Sequence, residues 1–140
     1  MKLSKRQCFY LLSPIFALSA YPVFVLFYTW AHVASSPLDG GKNGPLDAYR
    51  HTLASAVVAY TLNEQAVFLV TRVMERTTSA PNLMDKHNNL IGAQIGVQAK
   101  RFTELKPLVE KTVLNGKVNA DTSAQVTWLP PKYWRDSILW

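Results

Sequence analysis

Between Arg6 and Asp39 the chain carries no Asp, Glu, Lys or Arg. No other feature narrows the choice of fold so much. Residues 8–33 are almost all apolar or aromatic. As a helix rising about 1.5 Å per residue, this run reaches roughly 39 Å, against about 30 Å for the hydrocarbon core of a bilayer. Pro14 and Pro22 would bend such a helix, which lipid-embedded helices tolerate. Tyr28 and Trp30 fall near its far end, where interfacial aromatics gather. Lys2, Lys5 and Arg6 precede it and predict a cytoplasmic N-terminus. The expectation is a transmembrane anchor over residues 1–34, with the remainder outside the cytoplasm. The alternative is a signal segment cleaved near Val33-Ala34-Ser35, leaving a periplasmic or secreted protein.

Residues 35–45 hold two prolines and three glycines and read as a linker that lets the domain stand off the membrane surface. Residues 46–140 then form one helical domain. An apolar content of 49% argues against disorder. Three of the basic residues behind the net charge of +6 lie in the first six positions, so no basic stripe is left for nucleic acid. The expected partners are the membrane and an envelope protein. Cys8 is the single cysteine, which excludes an intramolecular disulfide.

The fold class predicted for the whole chain is mainly α. One N-terminal transmembrane helix precedes about four helices and an aromatic C-terminal arm. Pro45 suits a helix entry. Leu46, Tyr49, Leu53, Ala56, Val57 and Tyr60 recur at three and four and predict the core face of a helix reaching about Asn63. Asp47, His51 and Ser55 share another face, with Arg50 beside them. A second helix over 62–76 would turn Ala66, Leu69, Val70, Val73 and Met74 inward and leave Arg72, Glu75 and Arg76 solvated. A third runs from a cap at Asn82 to Lys100. On it Asp85, Asn89, Gly92 and Gly96 fall on one line, and the glycines admit a neighbouring backbone. A fourth covers 103–114, with Leu105, Leu108, Val109 and Val113 inward. Residues 125–129 allow one short strand. Tyr133, Trp134, Ile138, Leu139 and Trp140 are too aromatic and apolar for a free tail.

Two polar clusters stand out in these helices: Asp47 to His51, and Met84 to Asn89. Polar groups set among alanines, valines and glycines need partners, and the simplest partner of each cluster is the other. The pair Tyr49-Arg50-His51-x-x-x-Ser55-Ala56 and Met84-Asp85-x-His87-Asn88-Asn89-x-x-Gly92 resembles a bacterial domain family of unknown function. Its members carry an RHxxxSA helix followed by an MDxHNNxxG helix and occur in exported and toxin-like proteins. The resemblance covers about 46–96 and implies an exported, helical, bacterial protein. It also implies a His-Glu pair between the motifs, where this chain offers only Glu64 and Glu75.

Three chemistries suit the clusters. In a hydrolase, His51 is the general base, oriented by Asp47 or Asp85, and His87 is an alternative proton carrier. Arg50 or Asn89 would steady an oxyanion, and Ser55 is a less favoured nucleophile. In a metal site, His51, Asp85, His87 and a water would suit zinc, although no His-Glu-x-x-His or cysteine set is present. In a structural network, Asp47, Arg50, Ser55, Asn88 and Asn89 lock two helices together. The candidate catalytic set is therefore His51, Asp85 and His87. No cofactor is expected, with a divalent metal as the one exception kept open. The expected function is a membrane-anchored envelope protein, an accessory factor in secretion, conjugation or interbacterial antagonism. The alternative is a small toxin-like hydrolase acting on an envelope substrate.

Overall fold

The computed structural model describes residues 5–120, 122 and 124–135, with side chains from residue 19 onward. The basic side chains at Lys2, Lys5 and Arg6, the first half of the apolar run, and Ile138, Leu139 and Trp140 lie outside the described side chains. The protein is mainly helical, as expected. Its helices are α1 (Lys5–Ala34), α2 (Pro45–Thr61), α3 (Glu64–Met74), α4 (Ala80–Gln98) and α5 (Leu105–Leu114). A two-residue strand β1 (Lys117–Val118) pairs in parallel with β2 (Thr127–Trp128).

Helix α2 is the hub. It packs against α1, α3, α4, α5 and β2, so it is buried on nearly every side. Tyr49, Leu53, Ala56 and Val57 have no accessible surface, and the polar Asp47, Thr52 and Ser55 are buried with them. Thr52 meets its own needs locally, its hydroxyl donating to the Ala48 carbonyl at 2.7 Å. Pro45 begins α2 as the sequence suggests.

Helix α4 lies closest to the hub, because its glycines remove the side chains that would hold it away. A Cβ on Gly92 would sit 2.3 Å from the Thr52 carbonyl oxygen, and one on Gly96 2.4 Å from that of Ala56. Helix α4 begins earlier than its sequence suggests. Its N-cap is Ser79 rather than Asn82, with Pro81 in the first turn. Asn63, not Asn82, acts as a side-chain cap, accepting from the Ala66 amide at 2.9 Å at the start of α3.

The described half of α1 is a wall of this domain. Val25, Thr29 and Val33 recur every four residues and are buried against it. Tyr28 and Tyr60 both meet the Phe102 ring edge-on, at 5.0 and 5.8 Å between centroids. The Tyr21 hydroxyl hydrogen-bonds Thr61 Oγ1 at 2.6 Å. The opposite face, with Val23, Leu26 and Phe27, points outward. Among the described residues no helix is long and apolar enough to cross a membrane.

Residues 35–44 are irregular, yet they do not hold the domain at a distance from α1. The Leu46 amide donates to the Asp39 carbonyl at 3.0 Å, and Lys42 forms an antiparallel bridge with Arg135. Gly40 adopts a φ of +74°, and a Cβ on it would sit 2.9 Å from the Gly44 Cα, a conformation and a closeness that glycine permits. This segment is a folded turn that lays α1 on α2.

Two inward assignments fail. Leu108 is exposed at 39%, while Leu105, Val109 and Val113 are buried as expected. In α3 only Val67 is buried, and Leu69, Val70, Val73 and Met74 face out. The C-terminal arm packs in part on the domain, since the Asn43 side chain donates to the Tyr133 carbonyl at 2.9 Å and Arg135 bridges Lys42.

Candidate functional site

The site forms where the first turns of α2 face the first half of α4. Asp47 stands in the first turn of α2, where a carboxylate suits the helix dipole. Its Oδ2 accepts from the Asn43 amide at 2.6 Å. Its Oδ1 meets Arg50 Nη2 in an ion pair. Trp30 of α1 turns its ring towards the same guanidinium, 5.6 Å from its centroid. The apolar N-terminal helix thus contributes a wall of the polar site, a role that its composition hides.

His51, one turn beyond Asp47, points its Nε2 into the same space. Arg50 Nη2 lies at 3.2 Å from that nitrogen, Asp85 Oδ1 at 3.4 Å and Asp47 Oδ1 at 3.6 Å. A guanidinium only donates, so Nε2 accepts and the ring proton belongs on Nδ1. Three lone-pair-bearing atoms therefore converge from three residues. The Oδ1 atoms of both Asp47 and Asp85 are buried; that of Asp47 has the Arg50 ion pair, and that of Asp85 has no hydrogen-bond partner. The three ligand atoms lie within 4.8 Å of one another.

The other polar residues serve different ends. Ser55 Oγ donates to Asn89 Oδ1 at 2.9 Å, and Asn89 Nδ2 donates to Thr71 Oγ1 at 3.1 Å. This chain joins α2, α4 and α3, and it uses Ser55 as a donor rather than a nucleophile. Asn88 turns away from His51 and brackets the backbone of Thr127 with bonds of 2.8 and 3.0 Å. His87 does not join His51 and Asp85. Its Nε2 pairs with the Gln125 carbonyl at 2.7 Å, so the acid–base set and the metal set that included His87 do not assemble. A helix turns successive residues by about 100°, which parts His87 from Asp85 although they are two apart.

Two participants escape the sequence patterns. Thr71 closes the Ser55–Asn89 chain. Glu75, read from sequence as solvated, is half-buried at the end of α3, and its charge helps to raise the Asp85 pKa. The signal that could have found it is that only two acids, Glu64 and Glu75, lie between the two motifs.

Burial pushes the Asp85 carboxyl up to about 8, with the charges of Asp47 and Glu75 adding to the shift and Arg50 and Lys42 opposing it. Burial pushes His51 down to about 4, with Asp47 opposing and Arg50 assisting. The two groups give stability opposite pH slopes. Folded Asp85 keeps a proton that the unfolded chain loses above its ordinary value of 3.8, so its contribution is complete below that pH and vanishes as pH rises through about 8. The contribution of His51 is complete above its ordinary value of 6.5 and is lost as pH falls from there through about 4. The slopes cancel between these limits, and above pH 6.5 only that of Asp85 acts. At about 1.4 kcal/mol per pH unit the loss by pH 8 is roughly 2 kcal/mol. With a chelator present, the melting temperature should fall by roughly 4–8 °C from pH 6.5 to 8. Asp85→Asn should abolish that decline, and a decline of equal size in the variant would refute this assignment.

Comparison of the chain with family models, with curated proteins and with solved structures yields no match.

Proposed function

We propose that this chain is a membrane-associated hydrolase of the bacterial envelope, whose Asp47, His51 and Asp85 hold a divalent cation that activates water. One observation carries the reading: two buried carboxylate oxygens, that of Asp85 without a hydrogen-bond partner, and an imidazole nitrogen lie within 4.8 Å of one another. Lone pairs so placed repel, and the Arg50 guanidinium relieves those of Asp47 and His51 while leaving Asp85 Oδ1 without a partner. Separations of 3.4 and 3.6 Å from Nε2 match the edge of a tetrahedron whose metal–ligand bonds are about 2.0–2.2 Å. Carboxylate and imidazole donors suit zinc or a close relative. A cation there would lower the pKa of a bound water towards neutrality. Asp47 is held by the Asn43 amide and Arg50, and Glu75 adds a further carboxylate charge nearby.

The envelope and membrane parts rest on the basic start, the charge-free run and the outward apolar face of α1. The resemblance to the exported bacterial family points the same way.

The test uses the full chain in detergent micelles, stripped with chelator and titrated with zinc by calorimetry. One site is expected, and saturation at about a hundred times the dissociation constant should add about 2.7 kcal/mol of stability. Asp47→Asn and Asp85→Asn should each weaken binding by at least about tenfold, whereas His87→Ala should not. Hydrolysis of phospholipid or peptidoglycan should require the added cation and vanish in Asp85→Asn. A chain that binds no cation and hydrolyses neither substrate would instead fit the accessory envelope factor.

A further inference from the structure

Helix α3 brings a third carboxylate to the polar site. Helices α3 and α4 are joined by residues 75–79 and meet where Asn89 Nδ2 donates to Thr71 Oγ1. Residues four apart share a helix face. One turn from that bond towards the joining loop therefore stands Glu75 at the end of α3 and Asp85 on α4. The register sets the two carboxylates opposite each other, and the Glu75 charge is felt at Asp85. Hydrogen bonds hold this arrangement. The Glu75 amide donates to the Thr71 carbonyl at 2.8 Å, and Thr71 is itself tied to Asn89 at 3.1 Å. The Lys86 ammonium donates to the Thr77 carbonyl at 3.3 Å, which fastens the loop after Glu75 to α4.

Glu75 also lines a groove of about 430 Å³ between α3 and α4, together with Thr71 and Lys86. That volume is in the range of small-ligand pockets. Glu75 is thus shared between the groove and the site. Among the described residues its carboxylate forms no ion pair. Burial raises its pKa against the opposing charge of Lys86, with Asp47 adding to the rise and Arg50 opposing it. A carboxylate so placed takes up a proton more readily than one in open water.

A proton acceptor is what the cluster lacks. Asp47, His51 and Asp85 would leave a tetrahedral cation one open position for water, with their own lone pairs committed to the cation. Ser55 is spent as a donor to Asn89, and His87 is held by the Gln125 carbonyl.

Resting on the hydrolase reading, we infer that Glu75 is the general base of this site, taking a proton from the attacking water at the groove end of the Asp47–His51–Asp85 cluster. One O–H bond of the water breaks, and its proton passes to the Glu75 carboxylate. The freed electron pair bonds the oxygen to the electrophilic centre of the substrate. The bond to the leaving group breaks, and the leaving group departs with the proton returned by Glu75. No further reactant is needed.

The experiment compares the full chain in detergent micelles with Glu75→Gln and Glu75→Ala. Zinc binding is measured by calorimetry, and hydrolysis is measured on dioleoyl phosphatidylglycerol and on peptidoglycan sacculi. Glu75→Gln should bind zinc within about threefold of the parent, which shows the site folded, and should lose about 10²–10⁴-fold in kcat with KM little changed. Added formate should restore part of the rate of Glu75→Ala by supplying the missing carboxylate, and should not speed the parent. A Glu75→Gln chain as fast as the parent overturns the inference, as does a Glu75→Ala rate that formate leaves unchanged. A loss of zinc affinity of about tenfold or more in Glu75→Gln also overturns it, by making Glu75 a ligand. In each of these cases zinc-dependent hydrolysis by the parent keeps the hydrolase reading. A parent that hydrolyses neither probe removes that reading, and the base falls with it.

Discussion

Gly92→Val is expected to unfold the domain or cost it about 4 kcal/mol or more. The position tolerates no branched side chain, because even a Cβ would meet the Thr52 carbonyl oxygen at 2.3 Å and Ser55 Cβ at 2.8 Å. The first of these is backbone in the middle of α2 and cannot swing aside. The second belongs to a serine already bonded to Asn89. Replacing glycine gains up to about 1 kcal/mol of helix propensity, which is too little to offset a forced separation of two helices. That separation would also draw Asp85 from His51, so cation binding should fail with stability. Urea unfolding of the full chain in micelles measures the effect, with Gln94→Ala on the exposed face of α4 as the control. A Gly92→Val midpoint equal to that of the control would sink the close-contact account of α2 and α4.

Asn88→Ala should cost about 3 kcal/mol, and locally it should do more. Asn88 is fully buried, and both halves of its amide bond the backbone of Thr127. Alanine would leave a buried N–H and a buried C=O unpaired, each costing about 1–3 kcal/mol. Val126, beside Thr127, has no accessible surface and belongs to the main core, so releasing β2 opens that core from one side. Hydrogen exchange should speed up first at Val126 to Trp128, while the middle of α2 stays protected. If the amides of α2 lose protection to the same extent, Asn88 supports the whole domain rather than the docking of β2. His87→Ala should cost less, about 1 kcal/mol, because only the Gln125 carbonyl loses a partner.

The helical architecture was legible because periodicity reports burial on one face. Leu46, Tyr49, Leu53, Ala56 and Val57 are buried as their spacing demands. The line of Asp85, Asn89, Gly92 and Gly96 was legible for the same reason, and it seats α4 on α2. Periodicity was less informative for α3, where an apolar composition accompanies exposure at Leu69, Val70, Val73 and Met74. Burial of a helix depends on what lies across from it, and no chain segment among the described residues covers that face. For α1 the run without charges speaks of an apolar environment without saying which one. The structure places Val25, Thr29 and Val33 in the core and turns Trp30 towards Arg50.

Within the site, the sequence by itself determined that Asp47, Arg50 and His51 share one end of a helix, since residues three and four apart are neighbours whatever the fold. It also determined that Asp85 and Asn89 share a face with two glycines. Only the tertiary structure decided which members of the second cluster reach the first. Asp85 and Asn89 do, whereas His87 and Asn88 serve the C-terminal segment instead. The physical reason is rotational. Adjacent residues on α4 diverge by about 100°, and the glycine contacts fix which direction faces α2. A long-range contact such as Asn88 with Thr127 is set by closing the chain on itself, and no local pattern encodes that.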